Sequence, residues 1–407
     1  MIIKQRKILF ISVDGVQNYL ESLFLPVLEK LCNESNNVKV LEFCLRDSHV
    51  YNEYKHKKYK NKIKIYFSHY FNKPPIIGPF FFIFYGAFKL FIMIKKEKID
   101  LLMPRSLLAG AMVLLIKPFV KDIKIIFETD GLLADERVEF SSWSENGFLY
   151  KLLRKIETKL ITDSIYVTTR TSKAKEILMN RSKEKDRNKF IVIPNAKNII
   201  MPFKEERKKI RNALNIEETD FVFIYVGTIG KQYEPDLMMQ IFNSVYNYNH
   251  NVKFLVLTPN QREIKHIVSK YKDIEPNIVT MHVNADDVYK YIISADIGFA
   301  LRTPSFSQQA ISPIKLIEYM LIGLPIISNS GVGDLDKFYA KYNIGYIIND
   351  FKNIDYRAIN KYIENIILED KGSRSLNIQN IAKKEFDFED IINTYDTMID
   401  KVFNGSK

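Results

Sequence analysis

Two cysteines, Cys32 and Cys44, are all that 407 residues carry, and no further Cys or His stands at metal-ligand spacing from them. A disulfide framework and a structural zinc site therefore have no ligands, and both thiols read as small core residues. Glycine-rich cofactor loops are missing as well. No Gly-x-Gly-x-x-Gly occurs, and no Gly-x4-Gly-Lys-Ser/Thr, which removes the fingerprints of dinucleotide hydride transfer and of P-loop hydrolysis. None of the six histidines sits in a recognisable acid/base pair. No helix-turn-helix, RNP aromatic pattern or zinc spacing supports a nucleic-acid-binding module. Internal repeats and low-complexity tracts are absent too. The amino terminus MIIKQRKILFISV runs straight into a strand pattern with no charged segment, apolar core and cleavage site ahead of it, so a cytoplasmic location is expected.

What is present is a globular composition, 46% hydrophobic and 27% charged, in a chain long enough for two cores. The net charge of +12 favours an acidic partner, although lysines scattered over solvated faces would give the same sign. Apolar, β-rich runs alternate with segments of helical period from end to end, the pattern of parallel sheets with helices on both faces. The first set reads KILFISV, NVKVLEF, KIKIYFS, IDLLMP, KIIFETD, SIYVTTR and FIVIPN; the second reads FVFIYVG, VKFLVLT, NIVTMHV, DIGFALR, LPIISNS and IGYIIND. A polar, lysine-rich connection separates the sets. The expected architecture is α/β, with two Rossmann-like, doubly wound domains facing a cleft: residues 1–203, then residues 204–386. Residues 387–407 form a terminal helix that returns to the first domain. Ligands of such sheets lie beyond the carboxyl ends of the strands.

Two stretches at strand ends carry chemistry. In SPIKLIEYMLIGLPIISNSGVGD, Ser312 suits an N-cap and Pro313 the first helical position, which places Lys315 at the third, beside free backbone N–H groups primed for an anion. Glu318 follows three residues later on the same face, where a carboxylate can accept two hydrogen bonds from a vicinal diol. A plain surface ion pair between Lys315 and Glu318 would explain the spacing equally well. In FIYVGTIGKQYEPD, Gly227, Thr228 and Gly230 follow an apolar strand and Lys231 comes next, a turn that lets a phosphate approach the backbone. An ordinary strand-to-helix turn is the competing reading.

Together GTIGK and SPIKLIEYMLIGLPIISNSGVGD resemble the donor-binding half of family 4 glycosyltransferases of the GT-B fold, and the likeness extends over nearly the whole chain. The resemblance implies transfer of a sugar from a nucleoside diphosphate donor with retention of configuration, without a metal or other cofactor. By matching position, Glu318 would hold the donor ribose and Lys231 would stabilise the departing diphosphate. Ser312, Pro313 and Lys315 would line the phosphate or sugar pocket. Two positions depart from the pattern. Ala310 stands where a second glutamate is usual, and Thr228 where many members have arginine, for which Arg302 is the candidate substitute. On the acceptor side, PRSLLAG and FETDGLLADERVEFSSW resemble cleft-facing segments, which points to Arg105, Asp130, Gly131, Glu136 and Arg137, and Gly15 ends the first strand in ISVDGVQ. The partners implied are a nucleotide-sugar and a glycan or lipid-linked acceptor of bacterial surface polysaccharide synthesis. A GT-B-fold sugar-nucleotide epimerase and a non-catalytic sugar-nucleotide-binding protein are the alternatives.

The segment IIGPFFFIFYGAFKLFIMIKKEK, residues 76–98, nears the roughly 20 apolar residues of a membrane span. It lies between two strands that need a crossover helix, so docking on the inner face of the plasma membrane or burial under neighbours is expected instead. Lys89, Lys95, Lys96 and Lys98 would then meet anionic headgroups.

Overall fold

The computed structural model describes residues 5–13, 20–45, 63–70, 77–197, 204–284 and 287–405. They divide into two compact units, Met1–Ala196 with Phe388–Lys407, and Lys197–Asp387.

The first unit runs β1 (Arg6–Ser12), α1 (Leu25–Leu31), β2 (Asn36–Leu45), β3 (Lys64–Tyr70), α2 (Ile77–Glu97), β4 (Leu101–Pro104), α3 (Ser106–Ile116), β5 (Lys124–Glu128), α4 (Leu133–Phe140), α5 (Phe148–Asp163), β6 (Tyr166–Thr169), α6 (Ser172–Ser182) and β7 (Phe190–Val192). Its strands form one sheet in the order β3-β2-β1-β4-β5-β6-β7, every pair parallel. All seven coincide with the apolar runs of the first set. Strand order reverses between β1 and β4, so ligand-facing residues are expected beyond those carboxyl ends. Leu9, Ile11 and Phe43 of the sheet pack with Phe82, Leu90 and Met112 of α2 and α3.

The second unit runs α7 (Lys204–Ala213), β8 (Phe221–Val226), α8 (Pro235–Tyr246), β9 (Val252–Leu257), α9 (Gln261–Val268), β10 (Ile278–Met281), α10 (Val288–Ile292), β11 (Ile297–Ala300), α11 (Ile314–Ile322), β12 (Ile326–Asn329), α12 (Leu335–Lys341), β13 (Gly345–Ile348), α13 (Tyr356–Leu368) and α14 (Lys371–Glu385). Its sheet, again parallel, has the order β10-β9-β8-β11-β12-β13, with the reversal between β8 and β11. Both faces are covered: Phe223, Phe242, Phe254 and Phe299 pack on one, and Val222, Ile224, Leu316 and Met320 on the other. Such two-sided burial is why these strands are apolar at most positions instead of alternating.

The last helix, α15 (Phe388–Asn404), belongs to the first unit and packs beside α1. The hydroxyl of Tyr395 donates to Glu128 Oε2 at 3.0 Å, and Arg170 Nη2 donates to the same oxygen at 2.7 Å. Both hydrogen bonds fall on Oε2 and Arg170 supplies the opposite charge, which offsets part of the cost of burying this carboxylate, while Oε1 has no hydrogen-bond partner among the described residues. Asn36 Nδ2 reaches Asp396 at 3.1 Å and Lys124 Nζ reaches the Val402 carbonyl at 2.9 Å, tying the helix to strands β2 and β5.

Candidate donor site

The glycine-rich turn Gly227–Lys231 leaves β8, the central strand at the reversal of the second sheet. Tyr319, one residue after Glu318 on α11, accepts a hydrogen bond at its hydroxyl from Val226 N at 3.0 Å and so anchors the end of β8. It can do so because Gly298 on β11 has no side chain; a Cβ there would lie 2.5 Å from Tyr319 Cδ2. Gly227 has φ +133, a conformation that L side chains rarely adopt, and its N–H bonds to Leu257 O. Ile229 N donates to Asn260 Oδ1, and the Tyr225 hydroxyl donates to Thr228 O at 2.6 Å. Among the described residues, the N–H groups of Thr228, Gly230 and Lys231 donate to no protein acceptor. Unbonded amides clustered in one turn form an anion-receiving concavity.

Lys315 meets this turn from below. Lys315 is half-buried, and its ammonium lies 4.1 Å from the ring centroids of both Tyr225 and Tyr233 and donates to the Tyr225 hydroxyl at 2.8 Å. Burial lowers its pKa well below the ordinary lysine value, and the Arg302 guanidinium lowers it further. Arg302 itself stacks over Tyr233 at 5.1 Å and donates to Gln308 Oε1 at 2.6 Å. Among the described residues, then, two neighbouring cations are hydrogen-bonded by neutral groups and by no carboxylate. That is the electrostatic setting in which an anionic ligand gains most. Lys231 stands exposed on the turn, its carbonyl accepting from Thr303 Oγ1 at 2.8 Å.

The start of α11 differs from the expectation. Pro313, not Ser312, is the N-cap, with φ −69 and ψ 113 and no side-chain cap bond; the helix begins at Ile314 and Lys315 occupies its second position. The extended ψ at proline sets the cap one residue later, and the Lys315 ammonium is drawn under Gly227 rather than along the helix end. Glu318 is 7% exposed, and its Oε1 accepts from Lys197, in a close ion pair, and from the Tyr289 hydroxyl at 3.3 Å. It is therefore not an exposed partner of Lys315. Lys197, Tyr289, Tyr225 and Tyr233 went unremarked in the sequence because their partners are remote in the chain. Ala310 is buried where the second glutamate was expected, while Gln308, two residues earlier, is buried with its Nε2 lacking a hydrogen-bond partner.

In the first unit, Arg105 follows β4, is 5% exposed, donates to Asp130 Oδ1 at 2.9 Å and stacks on Phe24 at 4.7 Å. Asp130 and Gly131, the latter with φ +82, line a small cavity with Ser106, Thr129 and Glu157. Burial pushes the Glu157 carboxyl up to about 7 against the opposing pull of Arg154. Glu136 and Arg137 lie on α4, Arg137 exposed, and Gly15 lies outside the described residues. Among the described residues no three His, Cys, Asp or Glu side chains converge as a metal site.

Residues 206–385 match the model of the family described as glycosyl transferases group 1. Solved structures with the same fold include sucrose-phosphate synthase from Thermosynechococcus elongatus, 15% identical over 99% of this chain and 100% of that one, with TM-score 0.74. HepE of Anabaena in complex with UDP is 14% identical over 97% and 100%, with TM-score 0.69. WaaG, a glycosyltransferase involved in lipopolysaccharide biosynthesis, is 13% identical over 98% and 100%, with TM-score 0.69. No curated protein sequence matches the chain.

Proposed function

We propose, for a chain that belongs over residues 206–385 to the group 1 glycosyl transferases and is a glycosyltransferase of the GT-B fold, that its donor is a nucleoside diphosphate sugar and its acceptor a lipid-linked glycan. The observation that carries the donor half is the pair of cations, Lys315 and Arg302, held by neutral partners beside the unbonded amides of Thr228, Gly230 and Lys231. A diphosphate supplies the missing negative charge. HepE, of the same fold, binds UDP and, in a second structure, UDP-glucose.

In this reading Glu318 receives the ribose hydroxyls, and the turn amides with Lys231 receive the diphosphate. Negative charge grows on the leaving diphosphate as the glycosidic bond to the sugar breaks. Fixed donors aimed at that charge lower the barrier. Ser312 and Pro313 line the entry to α11, and the Gln308 amide with Arg302 takes the place of the expected carboxylate at Ala310. Arg105 and Asp130 are read as acceptor-side groups. No metal is required if these cations meet the diphosphate charge, and retention of configuration is the expected stereochemical outcome.

The acceptor half rests on α2. Phe81, Phe84 and Phe88 are each more than 60% exposed and Ile92 is 45% exposed along one face, while Phe82, Leu90 and Ile94 of the other face are buried. Exposed Lys89, Lys95 and Lys96 flank the apolar ridge. Among the described residues no helix is long and apolar enough to cross a membrane. A protruding aromatic ridge with lysines matches the interfacial layer of an anionic bilayer, where a lipid-carried acceptor of surface polysaccharide synthesis is found.

The test is turnover of UDP-, GDP- and ADP-sugars with a detergent-dispersed lipid-linked glycan, following release of nucleoside diphosphate and the anomeric configuration of the product. Transfer with retention supports the reading. Interconversion of the sugar nucleotide without transfer would identify an epimerase instead.

A further inference from the structure

Glu318 lies within a three-residue hydrogen-bonded triangle that neither the motif nor the fold accounts for. Lys197 is the first residue of the second unit, 121 positions before Glu318 in the chain. Its ammonium donates to Glu318 Oε1 and to the Tyr289 hydroxyl at 3.2 Å, and the Tyr289 hydroxyl donates to the same Oε1 at 3.3 Å. The Lys197 side chain is 16% exposed and Glu318 is buried, so solvent screens the triangle little. Burial alone would lower the Lys197 pKa, but Glu318 and Tyr289 together outweigh it and the pKa is raised.

A carboxylate oxygen accepts about two hydrogen bonds in its plane. Lys197 and Tyr289 use both sites on Oε1. Among the described residues no hydrogen bond reaches Oε2. A carboxylate side chain on a helix otherwise turns freely about its last bond, and each turn exchanges the two oxygens. Two donors from separate segments, the chain after β7 and helix α10, stop that rotation.

We propose that Lys197 and Tyr289 are positioning residues that fix the Glu318 carboxylate so that Oε2 is presented to the 2′- and 3′-hydroxyls of the donor ribose. The proposal rests on the reading of Glu318 as the ribose ligand. An opposite role is physically available, in which Lys197 occupies the carboxylate and must be displaced by nucleotide. The two differ in the sign of the effect on binding.

The experiment is calorimetric titration of the full chain with UDP, GDP and ADP and with their 2′,3′-dideoxy counterparts. The wild type is expected to prefer one ribose diphosphate over its dideoxy form by roughly 10- to 100-fold, the scale of hydrogen bonds to a charged group. Lys197→Met should reduce that preference to less than about 3-fold while leaving affinity for the dideoxy form unchanged, and Lys197→Arg should restore most of it. Tyr289→Phe, which keeps the lysine, should give a smaller loss and carries the test if Lys197→Met does not fold. Unchanged discrimination in a folded Lys197→Met, or tighter binding of the ribose form, overturns the positioning role while leaving nucleotide binding intact. Wild-type binding with no preference for ribose overturns both the positioning role and that of Glu318. If none of the three diphosphates binds the wild type, the donor reading itself fails and this inference falls with it.

Discussion

Gly227 closes over Lys315 so tightly that a Cβ on the glycine would sit 2.5 Å from Lys315 Cε and 2.7 Å from its Nζ. The glycine is thus required twice, for its φ of +133 and for the passage of a lysine beneath the turn. Gly227→Ala is predicted to cost about 1–3 kcal/mol of stability, the scale of a strained backbone, and to displace the Lys315 ammonium. Urea unfolding measures the first effect. Stability equal to wild type would show that the turn yields and that the close approach is not a constraint.

Lys315 makes a pH-dependent contribution whose sign follows from its depressed pKa. Between its folded value and the 10.5 of free lysine, the unfolded chain holds the extra proton, so stability rises with pH across that window. Below the window the penalty is fully present. Tyr225 and Tyr233 face the amine directly, and Arg302 and Glu318 act on it through space. Lys315→Met should therefore stabilise the fold, more at neutral pH than near pH 10, and should weaken nucleotide diphosphate binding at the same time. Urea midpoints at the two pH values read the first outcome. Equal gains at both would contradict it.

Lys231 is exposed on the turn, so its removal should leave unfolding unchanged. Lys231→Ala is predicted to lower turnover by on the order of 100-fold, the loss typical of one preorganised charge donor, with a far smaller change in donor KM. Turnover near wild type would remove Lys231 from the leaving-group role.

Much of this was legible in the sequence, for definite reasons. A strand such as FVFIYV is buried on both faces, so an unbroken apolar run marks it without any knowledge of neighbours. Parallel pairing followed from the helical segments between the strands. The cap of α11 was misplaced because the φ of −69 at Pro313 suits either an N-cap or a first helical residue, and only ψ, which the sequence does not display, separates the two. Glu318 stood out by spacing, but its clamp did not: Lys197 sits in VIPNAK and Tyr289 in DDVYKY, neither of which has a local signature. Lys315 was legible as a cation and illegible as one set between two aromatic rings, since its neighbours Tyr225 and Tyr233 come from around another strand end. The aromatic segment of α2 announced an excess of apolar surface; which residues protrude depended on how the helix turned against β1 and β2.

The ridge on α2 gives a prediction independent of donor chemistry. Wild-type protein should sediment with vesicles containing anionic phospholipid and much less with neutral ones, the binding falling as salt rises. Replacing Phe84 and Phe88, each 61% exposed, by serine should abolish sedimentation without lowering the melting temperature. If the substituted protein sediments as before, the ridge is not the docking face; if wild type is found as a dimer that the substitutions dissolve, a second copy covers it.

The central claim, that the second unit grips a nucleoside diphosphate sugar through Glu318 and the Gly227–Lys231 turn, is tested most directly by melting curves of wild type and Glu318→Gln over a panel of UDP-, GDP- and ADP-sugars. A ligand that binds only the folded state raises stability by RT ln(1 + [L]/Kd), so one family of donors should raise the wild-type melting temperature by several degrees, and Glu318→Gln should lose most of that rise while remaining folded. No shift with any donor, or an equal shift in the two proteins, would contradict it.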